Sequence, residues 1–169
     1  MQKSAKGLTL LPEDLLIMAG KHEHFEMNRY RLLSLRFLAF NTGISRLLEV
    51  LANESEQRVQ SLTEASRKFR MVDKLPDYMP PHHLGIEKDF LQFFVINNGV
   101  AVDILMCSSA YEQRSLQFYC QLRERNITPE LDEIIGLFID QARIQCQILQ
   151  EIQDQLLFNE RALPMSRVA

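Results

Sequence analysis

Two glutamates, each followed seven residues later by a tyrosine, are the residues of this chain best placed to do chemistry. They are Glu23 with Tyr30 and Glu112 with Tyr119, and the two pairs are offset by 89 residues. Seven residues make two helical turns, so each carboxylate shares a helix face with its phenol. Both glutamates interrupt stripes that are otherwise mostly apolar. A lone glutamate in such a place ordinarily snorkels its head to solvent. Two that are symmetrically placed, each with a phenol two turns on, are expected to point inward together. A second repeat, offset by 87 residues, sets Ser55 and Arg58 against Ala142 and Gln145. The chain therefore reads as two copies of one helical hairpin about a pseudo-twofold axis. Inward carboxylates can hold a divalent metal or neutralise a buried cation, and the remaining residues at this level decide between the two.

The elements that must position these side chains are four helices, predicted over about 12–40, 43–70, 87–125 and 129–159 from three-four apolar spacing. Leu11-Pro12-Glu13-Asp14 supplies a first-turn proline and acids at the positive end of the helix dipole. Thr42 is the expected cap of the second helix, and Thr128-Pro129-Glu130 opens the fourth. The third is expected to resume near Ile86, with a kink at Asn97-Asn98-Gly99. Pro76, Pro80 and Pro81 fall between Met71 and Gly85, too dense for a helix, so residues 71–86 are expected to form a long crossover. Short loops within each pair make its helices antiparallel. Strand signals are nearly absent.

Bulk properties narrow the function. The 169 residues suit a single domain, 1–169, and are 46% hydrophobic and 24% charged, with a formal net charge of -3. That balance, with no basic run, gives no reason to expect nucleic acid or an anionic membrane surface as a partner. The apolar region Phe90 to Cys107 is broken by Gln92, Asn97, Asn98 and Asp103, too polar for a membrane span. The first residues lack the uninterrupted apolar stretch of a secretory signal, and Cys107, Cys120 and Cys146 form no CxxC pair. A cytoplasmic protein with buried free thiols is expected. No Gly-rich phosphate loop, nucleophile elbow or HExxH is present. Ser108-Ser109 beside Glu112 reads as small-residue packing. His22 and His24, two apart, lie on different helix faces, and His82-His83 falls in the crossover.

On these residues the chain resembles the ferritin-like di-iron proteins, and rubrerythrins most closely. Glu23-His24-Phe25-Glu26-Met27-Asn28-Arg29-Tyr30 is similar to that family's ligand glutamate followed by Asn-Arg-Tyr. Tyr111-Glu112 through Phe118-Tyr119 is similar to its glutamate followed by Phe-Tyr. The resemblance implies an all-α, ferritin-like antiparallel four-helix bundle, two helical hairpins joined by a long crossover. It also implies a Glu-x-x-His on the second and fourth helices. There this chain departs from the family: Ser55 and Arg58, then Ala142 and Gln145, stand where the glutamates and histidines belong. The Cys-rich rubredoxin-like iron domain of rubrerythrin proper is missing as well.

These departures change the chemistry. Two carboxylates and an arginine around two divalent ions would leave roughly three positive charges uncompensated, at several kcal/mol per desolvated ion. A degenerate di-metal site without redox activity is therefore expected, with Glu23, Tyr30, Ser55, Arg58, Glu112, Tyr119, Ala142 and Gln145 as its remnant. Arg58 is expected at the old metal position, bridging Glu23 and Glu112, with Ser55, Gln145, Tyr30 and Tyr119 completing the hydrogen bonds. One carboxyl of the crowded pair is expected to keep its proton near neutral pH. The alternative is an iron or manganese oxidoreductase of the peroxide-related kind. It would use Glu23 and Glu112, with Glu26 and Glu54 recruited from what are otherwise solvated flanks. No cofactor is expected under the first reading. A homo-oligomer such as a dimer, with Ile144 among its contacts, is compatible with either.

Overall fold

The computed structural model describes residues 9–76 and 93–162, with side chains described as far as residue 158. Four helices account for most of it: α1 (Pro12–Phe37), α2 (Thr42–Lys68), α3 (Asn98–Arg125) and α4 (Pro129–Ala162). No strand occurs among the described residues. An isolated bridge ties Leu10 to Asn126, where the Leu10 amide donates to the Arg125 carbonyl at 3.0 Å.

Local chemistry sets the helix ends. Pro12 opens α1 with Glu13 and Asp14 in its first turn, where a missing amide hydrogen costs nothing and acids face the positive dipole end. The cap of α2 is Asn41, whose side-chain oxygen accepts from the Ile44 amide at 3.1 Å. Thr42, expected in that role, is instead the first helical residue. At the other end of α2 the Arg70 amide donates to the Arg67 carbonyl at 3.1 Å and the Met71 amide to the Ser66 carbonyl at 3.0 Å. These are the two bonds of a Schellman closure, and they place Arg70 at φ 57°, a left-handed position that glycine fills without strain.

The third helix differs from expectation. Residues 87–92 lie outside the described residues, and 93–97 are not helical. The Val95 amide donates to the Arg36 carbonyl at 3.0 Å, and Arg36 Nε donates to the Phe93 carbonyl at 2.8 Å. The segment thus runs against the end of α1. The side chain of Asn97 then accepts from the Val100 amide at 2.9 Å and starts α3. The Asn-Asn-Gly run is a helix start, not a kink within a helix. Of the expected crossover, residues 71–76 are described and include a short 3-10 turn at Val72–Lys74, and 77–86 are not.

α1 packs chiefly on α2, and α3 on α4, as short connections require. This pairing is compatible with a bundle. The core divides into two apolar clusters. One is built around Phe37, Leu48, Leu51, Leu105 and Leu149, and the other around Leu15, Leu62, Leu131, Ile135 and Phe138. Tyr30 belongs to the first and Tyr119 to the second. At the level between these phenols lie buried polar and charged residues from the helices of both hairpins. No helix among the described residues is long and apolar enough to cross a membrane. Ile144 is exposed on α4.

Candidate functional site

The polar layer is assembled by helical spacing. Glu23, Glu26 and Tyr30 follow one another by three and four residues on α1, so one face carries all three. Arg29 lies beside them. Ser55 and Arg58 come from α2, Glu112 and Tyr119 from α3, and Ala142 and Gln145 from α4. All of these residues are buried, Glu23 completely.

Glu23 is held on both oxygens. Arg58 Nε donates to Oε2 at 2.8 Å, and the Tyr119 hydroxyl donates to Oε1. Arg58 completes its fork with the Ser55 hydroxyl at 2.9 Å and with Gln141 Oε1 at 3.4 Å. Across the layer the Tyr30 hydroxyl donates to Glu112 Oε2. Arg29 sits 3.6 Å from that oxygen and binds Glu26 Oε2 through Nε at 3.0 Å and through Nη2. Its guanidinium carbon also lies 4.2 Å from the Tyr30 ring centroid, a cation-π contact that eases its burial. Three carboxylates and two guanidiniums therefore share one desolvated layer.

Sequence expectation and structure part company at four places. Arg58 does not bridge Glu23 and Glu112; it binds Glu23 alone, because Tyr30 and Arg29 already serve Glu112. Gln145 does not reach those two glutamates and instead donates to Glu54 Oε2 at 2.6 Å. Glu26 is buried, not flanking, because its neighbour Arg29 neutralises it within the layer. Arg29 itself was not singled out by the stripe pattern. The signal available for it was the Glu26–Arg29 spacing of three, which lets a glutamate and an arginine enter an interior as a pair. Glu54 is half-buried at the edge, close to where a flank position puts it. Ala142 is buried and contributes packing only.

Burial shapes the proton affinities. It pushes the Glu112 carboxyl up to about 7, helped by the Glu26 carboxylate, while Tyr30, Arg29 and Arg58 pull the other way. The Tyr30 and Tyr119 hydroxyls are raised well above their ordinary range, first by burial. Burial opposes the charge on Arg29 and Arg58, and the carboxylates Glu26 and Glu23 respectively more than offset it. Burial also pushes the Cys146 thiol up to about 11, with Glu112 adding to the effect, so this thiol is a poor nucleophile. Cys107, Cys120 and Cys146 are half-buried and form no disulfide.

The histidines stand apart from the layer's ion pairs. His22 shares a 2.6 Å hydrogen bond with the Ser115 hydroxyl and stacks on Phe118 with centroids 4.4 Å apart. Burial lowers its pKa. His24 points elsewhere, its Nε2 donating to the Pro76 carbonyl at 2.8 Å. His82 and His83 lie outside the described residues. Ser108 donates to the Ile104 carbonyl of its own helix at 2.9 Å, an intrahelical bond with no catalytic geometry.

This donor set does not suit a pair of metal ions. Both oxygens of Glu23 and one oxygen each of Glu26 and Glu112 already accept from guanidinium or phenol groups. Two dications added to these five charges would leave roughly three positive charges uncompensated in a desolvated layer. Among the described residues no three His, Cys, Asp or Glu side chains are grouped so as to hold a metal ion. Comparison with protein-family models, curated proteins and solved structures finds no match for the chain.

Proposed function

We propose that this chain is a ferritin-like bundle with a degenerate di-metal site, acting in the cytoplasm as a structural, binding or regulatory module and not as a redox enzyme. The resemblance of the Glu23–Tyr30 and Glu112–Tyr119 segments to rubrerythrins supports the family reading. One observation carries the loss of activity: the buried Arg58 guanidinium, 2.8 Å from Glu23 Oε2, with the Tyr119 phenol on the other oxygen. A carboxylate with a donor on each oxygen binds a metal only in competition with the guanidinium and the phenol, and beside the guanidinium's positive charge.

The second reading, an iron or manganese oxidoreductase with unconventional ligands, draws its support from Glu26, which is buried at the level of Glu112. Aerobic loading with ferrous iron, followed by desalting, separates the two. The first reading expects no retained iron and no near-ultraviolet oxo-iron absorbance. About two irons per chain with that absorbance, the stoichiometry of a dinuclear site, would establish the second. Self-association as a dimer belongs to the proposal too, and sedimentation equilibrium measures it directly.

A further inference from the structure

We propose that the outer face of α4 docks a second copy of this chain, helix against antiparallel helix, about a twofold axis at the level of Cys146. The inference rests on the self-association included in the functional reading above, and deepens it by naming the surface and its pairing.

A bundle helix needs one apolar stripe, for its core, and α4 carries two. The inner one runs through Leu131, Ile135, Phe138 and Leu149, all buried. The outer one keeps the same three-four spacing from Ile134 to Phe158 on the solvent side, with Gln141, Glu151 and Gln155 as its polar members. Leu137 is 59% exposed there, Ile144 54% and Phe158 70%. A three-four stripe sustained on an open face is the seam along which one helix packs on another.

The seam is complementary to itself when reversed. In a twofold contact, what lies a given distance before the axis meets what lies the same distance after it on the other copy. With the axis at residue 146, Ile144 meets Ile148 and Ile134 meets Phe158, apolar on apolar. Gln141 meets Glu151. The Gln141 side-chain oxygen faces Arg58 at 3.4 Å, which leaves its amide group to donate to the carboxylate of the second copy. Leu137 meets Gln155 at a cavity of about 240 Å³ that Leu47, Ile152 and Leu156 also line, a recess for its side chain. Asp140, beside the seam, is paired with Arg143 at 3.0 Å, which tempers repulsion between like charges of the two copies. The stripe runs for roughly 37 Å, and a helix face of that length and about 11 Å width amounts to roughly 400 Å² per copy. Leu47 and the exposed Val50 of the neighbouring α2 widen it, to roughly 1,000 Å² for the two copies together, where specific contacts begin.

Sedimentation equilibrium and disulfide trapping test the proposal. The wild type is expected to sediment with the mass of two chains, and Ile144→Lys with the mass of one and an unchanged circular dichroism spectrum. Met106→Lys alters a residue of α3 that is 52% exposed and off the seam, and is expected to stay dimeric. A monomeric wild type, a dimeric Ile144→Lys or a monomeric Met106→Lys overturns the proposal. Trapping serves even if a lysine variant fails to fold. Under mild oxidation Gln141→Cys/Glu151→Cys is expected to give a disulfide-linked dimer on a non-reducing gel, and either single variant is not, because each new thiol and its own copy lie about 15 Å apart along the seam. A link formed by Gln141→Cys alone, or none by the double variant, overturns the antiparallel pairing. Failure of these tests would leave the degenerate-site reading standing, since iron retention decides that one.

Discussion

Glu112 makes the stability of this protein depend on pH in a direction opposite to that of a salt-bridged carboxylate. Its carboxyl is fully desolvated, its direct donor is the neutral Tyr30 hydroxyl, and the nearest guanidinium, at 3.6 Å, is engaged by Glu26. The folded chain therefore holds the Glu112 proton up to about pH 7, against 4.5 for an ordinary glutamate. Between these values the native state binds more protons than the unfolded state, so stability falls as pH rises and levels off above about 7. Each pH step corresponds to about 1.4 kcal/mol, which makes the whole loss about 3 kcal/mol. Glu112→Gln removes the titration and leaves an oxygen to accept from Tyr30. Urea denaturation of both chains at a series of pH values gives the measurement. The difference in unfolding free energy between them should shift by about 3 kcal/mol in favour of the variant from pH 4.5 to 7.5. Groups that do not interact with Glu112 titrate alike in both proteins and cancel. Parallel curves would refute the reasoning, because they would mean that Glu112 is as well compensated in the fold as in water.

Two further outcomes follow from the same physics. Arg58→Ala strands Glu23 in the core and should cost about 3–5 kcal/mol, read as a lower urea midpoint; adding Glu23→Gln should restore part of the loss, and an unchanged midpoint in the single variant would mean that the pair contributes nothing. Arg70→Gly relieves a left-handed residue at φ 57° and should raise stability by about 1 kcal/mol in the same assay, whereas destabilisation would show that the Arg70 side chain matters more than its backbone.

The four helices and their pairing were legible because a three-four repeat of apolar residues is itself the record of a buried face. The inward direction of Glu23, Ser55, Arg58, Glu112 and Gln145 was legible for the same reason, since each stands in an apolar stripe. What a stripe cannot convey is pairing among polar residues. Glu26 and Arg29 lie at the edge of the α1 stripe, and each alone belongs in water; only together can they be buried. The partners of Arg58 and Gln145 depend on which carboxylate is already satisfied, a matter of three-dimensional competition with no trace in spacing. The start of α3 was missed for a different reason. The apolar residues before Asn97 resemble a continuing helix face, whereas Val95 spends its amide on the end of α1 and the Asn97 side chain resets the chain.

The two phenols cross between hairpins, Tyr30 of α1 reaching Glu112 of α3 and Tyr119 of α3 reaching Glu23 of α1. Such reciprocal bonds act as a key in a lock. If one hairpin slid past the other by a single helical turn, about 5.4 Å, both carboxylates would lose their phenol donors at once while still shut away from solvent. Apolar side chains would tolerate that slip, because leucine packs on leucine at many offsets. The crossed phenols therefore fix the axial alignment of the two halves, as a buried polar residue fixes the register of a coiled coil.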